Sequence, residues 1–112
     1  MHREHMNVSI SAAARGDKVA ILTENLHCAD GLAMDIEELL PSEYVQKISR
    51  ANGRRAIYFH GGGNIHFISL RQSARGMSLD RVFVPIGTPK DVLADIIPAL
   101  AASSDGVLTG YY

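Results

Sequence analysis

The chain has 112 residues, 46% hydrophobic and 21% charged, with a formal net charge of −1 at pH 7. That is the size of one domain with enough apolar content for one core, which excludes a chain disordered throughout. No apolar run approaches the roughly 18 residues of a membrane-spanning helix, and the first ten residues, MHREHMNVSI, lack a signal-peptide stretch.

Residues 1–8 read as a flexible terminus ahead of a single domain at 9–112. SISAAAR at 9–15 reads as a short helix stopped by Gly16, and KVAILT at 18–23 as a buried strand. Residues 24–30, with His27 and Cys28, read as a loop. Asp30 then caps a helix to about Leu40, with Leu32, Met34, Ile36, Leu39 and Leu40 available for packing and Asp35, Glu37 and Glu38 facing water. Pro41 opens a second helix at 43–51, with Tyr44, Val45 and Ile48 inward and Gly53 at its end.

RAIYFH at 55–60 is a strand, Gly61-Gly62-Gly63-Asn64 turns the chain, and residues 65–70 return, which makes a hairpin. Residues 71–79 are loop, and RVFVP at 81–85 is a buried strand. Thr88-Pro89-Lys90-Asp91 starts a helix with Thr88 as cap, running to about Ala102 with Val92, Leu93, Ile96, Ile97 and Leu100 at helical spacing. Val107-Leu108-Thr109 forms a last short strand. Strands joined by helices in this order point to an α/β sheet.

The charge is unevenly spread. Between Lys47 and Lys90 stand eight bases, namely Lys47, Arg50, Arg54, Arg55, Arg71, Arg75, Arg81 and Lys90, against one acid, Asp80, so the centre carries +7. Residues 1–46 carry −5 and residues 91–112 carry −3. Such asymmetry suits a polyanion, an acidic partner surface or a second copy; the plainer reading folds basic segments on acidic ones. Arg54, Arg55, Arg71, Arg75 and Arg81 have the chemistry to contact phosphates, or to form a solvated basic face.

Other motifs carry less. The glycine triplet is followed by a strand, with Asn64 and Ile65 where a phosphate loop needs Lys and Ser or Thr, so it reads as a tight turn. His60 and His66 flank that turn without zinc-type spacing, and no metal or cofactor is expected. Cys28, the single cysteine, reads as a packing residue rather than a nucleophile, and it fits a reducing, cytoplasmic setting. Ser69, Ser73 and Ser78 lack a nucleophile elbow. No reading helix or base-stacking aromatic platform is apparent.

The stretch from Asn64 to Pro85 resembles the ATPase domain of phage large terminase subunits, and more distantly the RecA-like domain of helicases. Gly63, Ile65, Phe67 and Ser69 match a strand of the form G-x-I-x-F-x-S/A. Arg75-Gly76, Ser78 and Asp80 match the following loop, Val82-Phe83-Val84 the next strand, and Leu108-Thr109-Gly110 a later L-T-G element. The resemblance covers about residues 15–112. It implies a reduced RecA-like, P-loop NTPase-like layered fold of about five short strands with helices packed on the sheet.

The departures from that pattern bear on function. The phosphate-loop strand with its Gly-Lys-Thr would precede residue 9. Where the family has Asp-Glu-Ala, this chain has Pro85-Ile86-Gly87, which can neither hold Mg²⁺ nor orient an attacking water. The resemblance therefore implies a non-catalytic phage or prophage protein, not an ATPase. It would bind nucleic acid through Arg54, Arg55, Arg71, Arg75, Arg81 and Lys90, or alternatively dock on a host or phage protein and modulate it. Loss of the phosphate-loop strand would bare a sheet edge, which implies a homo-oligomer or hetero-complex.

Overall fold

The computed structural model describes residues 1–50, 55–72 and 77–112. The elements in chain order are α1 (Arg3–Ala14), β1 (Lys18–Thr23), α2 (Leu26–Leu39), a single 3-10 turn (Ser42–Tyr44), β2 (Val45–Ser49), β3 (Arg55–Phe59), β4 (Asn64–Ser69), β5 (Arg81–Pro85), α3 (Lys90–Leu100) and β6 (Val107–Tyr111). One six-stranded sheet runs β2-β3-β4-β1-β5-β6. β1, β4, β5 and β6 are mutually parallel, and the β2–β3 and β3–β4 pairs are antiparallel. This is the expected α/β layered architecture, with six strands among the described residues where about five were expected.

The sheet is covered unequally. On one face, Val19, Ile21, Ile57, Phe59, Ile65, Phe67 and Phe83 pack against Ala12 and Ala13 of α1 and Leu32, Ala33 and Ile36 of α2. On the other, Ala20, Leu22, Ile68, Val82 and Val84 meet Ile96 and Ala99 of α3, with Leu79. β1 and β5 contribute to both clusters, which is why both read as nearly continuous apolar runs.

α1 closes as expected at Gly16, whose φ is +103°. The Gly16 N–H donates to the Ala13 carbonyl and the Asp17 N–H to that of Ala12, a Schellman closure. The helix starts at Arg3, however, so the terminus expected to be loose is helical. Met1, Met6 and Ile10 pack against the core, and the Ser9 hydroxyl donates to the Met6 carbonyl at 2.7 Å. The second helix also begins earlier than Asp30: Asn25 caps it, its Oδ1 accepting from the Cys28 N–H at 2.8 Å. Met34, expected to pack, is exposed, whereas Glu37, expected in water, is largely covered.

Over its described residues, 43–50, the helix expected at 43–51 is instead the 3-10 turn and β2; Ala51 and Gly53 lie outside the described residues. The reason lies in a bulge. The β2–β3 register shifts between Val45 and Lys47, and the extra residue lets Val45 and Ile48 both pack on the core. Two inward residues three apart in sequence imitate helical spacing. At α3 the cap is Pro89, and the Thr88 hydroxyl donates back to the Pro85 carbonyl at 2.5 Å. Ile97, expected inward, is exposed.

The glycine turn serves packing. A Cβ on Gly63 would lie 1.9 Å from the Ala13 carbonyl oxygen, so only glycine lets the hairpin close on the end of α1.

Candidate nucleic-acid interface

Of the six basic residues read as a binding surface, the four that the structure describes do not form one patch. Arg54 and Arg75 lie outside the described residues. Arg55 opens β3 opposite Phe67, close to the carboxyl end of β4. Arg71 follows the end of β4, and Lys90 begins α3 after the end of β5. These three therefore sit toward the carboxyl ends of the parallel strands. Arg81 stands at the amino end of β5, across the sheet from them.

Their surroundings differ as much as their positions. The Arg55 side chain is only 14% exposed and pairs with Glu37 at 3.3 Å and Asp30 at 3.7 Å, so its charge is used inside the fold. Glu37 also receives Arg50 at 3.6 Å. Arg81 lines a cleft with Asp17, Asp80 and Asp105. Arg71 is exposed but borders a cleft with Asp91 and Asp95. Lys90 is exposed. Of the central bases, Arg50 and Arg55 are thus in ion pairs with acids of the first segment, and Arg71 and Arg81 border clefts that acidic residues also line.

Asp80 has a structural task. Its carboxylate accepts the Lys18 N–H at 2.8 Å, its own N–H donates to the Lys18 carbonyl at 2.8 Å, and its carbonyl accepts the Val107 N–H at 3.1 Å. One residue thereby aligns the starts of β1, β5 and β6.

A cavity of about 540 Å³ opens at the carboxyl ends of β1, β5 and β6. Its lining includes Thr23, Glu24, Cys28, Asp35, Ile86 and Tyr111. Among the described residues lining it are two carboxylates and no basic side chain. Cys28 is exposed here rather than packed in the core. Tyr111 is buried, its hydroxyl donating to the Leu22 carbonyl; burial, reinforced by the charges of Cys28 and Glu24, pushes the phenol up to about 12.

The sequence reading missed the other face of the β2–β3–β4 wing. None of the described helices packs there, because α3 lies over β1 and β5 while α1 and α2 lie behind. Lys18, Asn64, Tyr58 and Lys47 stand in register across β1, β4, β3 and β2. Beside them Ala20, His66, Ala56 and Ser49 form the adjacent row. Tyr58 and His66 meet edge to face, with centroids 5.9 Å apart at 86°. Tyr58 is partly exposed on this face. The polar-apolar alternation of β3 and β4 carried this signal, but with β2 taken as a helix no continuous face could be drawn.

Neither a protein-family profile nor a curated protein sequence matches the chain. Solved structures do match in fold. The large terminase from a thermophilic bacteriophage, in one crystal form, superimposes with a TM-score of 0.66 at 13% identity, over 94% of this chain and 28% of that one. The same terminase in complex with ADP gives 0.63 at 12% identity, and in complex with ATP-γ-S 0.64 at 12%, over the same shares of each chain. The fold is therefore the RecA-like α/β layering seen in these terminase structures. The chain spans a little over a quarter of their length.

Proposed function

We propose that this chain is a non-hydrolytic, terminase-like protein of phage or prophage origin that binds nucleic acid through bases of its central segment. The observation that carries the reading is the concentration of +7 between Lys47 and Lys90, with Arg71 and Lys90 exposed. Arg54 and Arg75 enter this reading by sequence alone, since they lie outside the described residues. Recognition is electrostatic and largely independent of sequence.

Two features support the absence of ATP hydrolysis. β5 ends in Pro85 and runs into Ile86 and Gly87, side chains that offer no metal ligand and no base. The cavity at that end is lined by Glu24 and Asp35, which repel phosphate. No Mg²⁺-ATP turnover is expected.

The test is anisotropy of labelled single- and double-stranded oligonucleotides at several salt concentrations. Binding should fall steeply with salt, the slope counting the phosphates engaged, and should weaken in Arg71→Ala and Lys90→Ala. No binding at low salt overturns the reading.

A second reading, docking on a host or phage protein or on another copy, is favoured by β6. Among the described strands this edge strand pairs only with β5; it carries no charged residue and exposes Val107 and Leu108. A stoichiometric protein complex that forms without nucleic acid would support it.

A further inference from the structure

We propose that the open face of the β2–β3–β4 wing is a binding surface for single-stranded nucleic acid, with Tyr58 as the base-stacking residue and Lys18 and Lys47 as phosphate contacts. This rests on the nucleic-acid reading above and names a site for it on a different surface from the carboxyl-end bases.

The argument starts from register. Lys18, Asn64, Tyr58 and Lys47 occupy one row across four strands, so the two ammonium groups flank an amide and an aromatic ring. Adjacent strands lie about 4.8 Å apart, which sets the lysine backbones about 14 Å from each other, room for a short run of nucleotides. A cavity of about 400 Å³ lies on this face, and its lining includes Lys18, Ser49, Tyr58, Asn64, His66 and Ser78. No carboxylate is among its described lining residues, in contrast to the clefts beside Arg71 and Arg81. The charge here is complementary to a phosphodiester chain.

The aromatic geometry favours bases over a bare backbone. The perpendicular contact with His66 fixes the Tyr58 ring within a partly exposed sheet face, where a base can stack at little entropic cost. Asn64 stands opposite Tyr58 on the neighbouring strand, so the ring is flanked by a polar residue rather than an acidic one. A duplex hides its bases from such a flat face, whereas a single strand presents them.

The test compares a labelled single-stranded oligonucleotide with a duplex, using the wild-type chain, Tyr58→Ala, Tyr58→Phe, Lys18→Ala/Lys47→Ala and Arg71→Ala. Single-strand affinity is expected to fall about tenfold to a hundredfold in Tyr58→Ala and to survive in Tyr58→Phe, which keeps the ring. The double lysine variant should lower affinity and reduce the salt slope by about two. Amide resonance shifts with a short oligothymidine should map to β2, β3 and β4 in the unaltered protein, which settles the site even where a variant folds poorly. If single strands bind but the shifts fall elsewhere, or if Tyr58→Ala binds normally while Arg71→Ala does not, this proposal is overturned and the nucleic-acid reading stands. If no nucleic acid binds at all, both fall.

Discussion

The hydroxyl of Tyr111, at the end of β6, donates to the main-chain carbonyl of Leu22 on β1, reaching past β5. The β1–β5 ladder ends at the Ile21–Phe83 pair, so this bond ties the strands where their pairing has stopped. Burial holds the phenol neutral, with a pKa raised from 10.0 to about 12. A raised folded value means the contribution is complete below the unfolded pKa near 10 and is lost as pH rises through about 12. Chemical denaturation between those pH values should show a loss of stability that is smaller in Tyr111→Phe. At neutral pH that variant should cost roughly 1–2 kcal/mol, because the Leu22 oxygen loses its donor.

Gly63 is expected to be the least tolerant turn position. A methyl group there would meet the Ala13 carbonyl oxygen at 1.9 Å, and that oxygen belongs to backbone which cannot swing aside. Gly63→Ala should destabilise by roughly 2–4 kcal/mol in urea titrations. Gly62→Ala meets no atom within 4 Å, so its cost should reflect only the strain of φ +91° and be smaller, about 1 kcal/mol.

Arg55 and Arg71 belong to one basic set in the sequence, yet their variants should separate. Arg55→Ala leaves the partly buried Glu37 with the exposed Arg50 as its remaining partner among the described ion pairs, and should cost roughly 1–3 kcal/mol of stability. Arg71→Ala should leave the thermal midpoint nearly unchanged and act on nucleic-acid affinity alone. Melting curves run beside binding isotherms would show the division.

Asn25→Ala removes the oxygen that accepts the Cys28 N–H, and should cost about 1 kcal/mol. The first turn of α2 should fray, so amide exchange at His27 and Cys28 should quicken before that of the buried Ala29 and Leu32.

Some elements are readable in the sequence because local chemistry and tertiary contact agree in them. β1 and β5 are buried on both faces, and their unbroken apolar runs mark bounds the structure keeps at Lys18–Thr23 and Arg81–Pro85. Gly16 closes α1 and Gly62 turns the hairpin, both at positive φ and so for reasons local to the backbone. β2 is not readable in the same way, because a bulge changes which residues share a face, and bulges leave little trace in a single sequence. The start of α2 is displaced because Asn25 and Asp30 are both good caps, and only the placement of Ala29 in the core selects the first.

By itself the sequence determined the α/β class, the likeness to terminase folds, the charge asymmetry and the lack of acidic residues at the end of β5, since each is a matter of composition or of order along the chain. Only the tertiary structure decided which charges are paired and which are available. Asp30 and Glu37 reach Arg55 because α2 lies against β3, and the Glu37–Arg55 contact joins residues 18 positions apart. Likewise Lys18 and Lys47 share a face with Tyr58 because four strands align. Register between distant segments is a property of the assembled sheet, and no local signal along the chain specifies it.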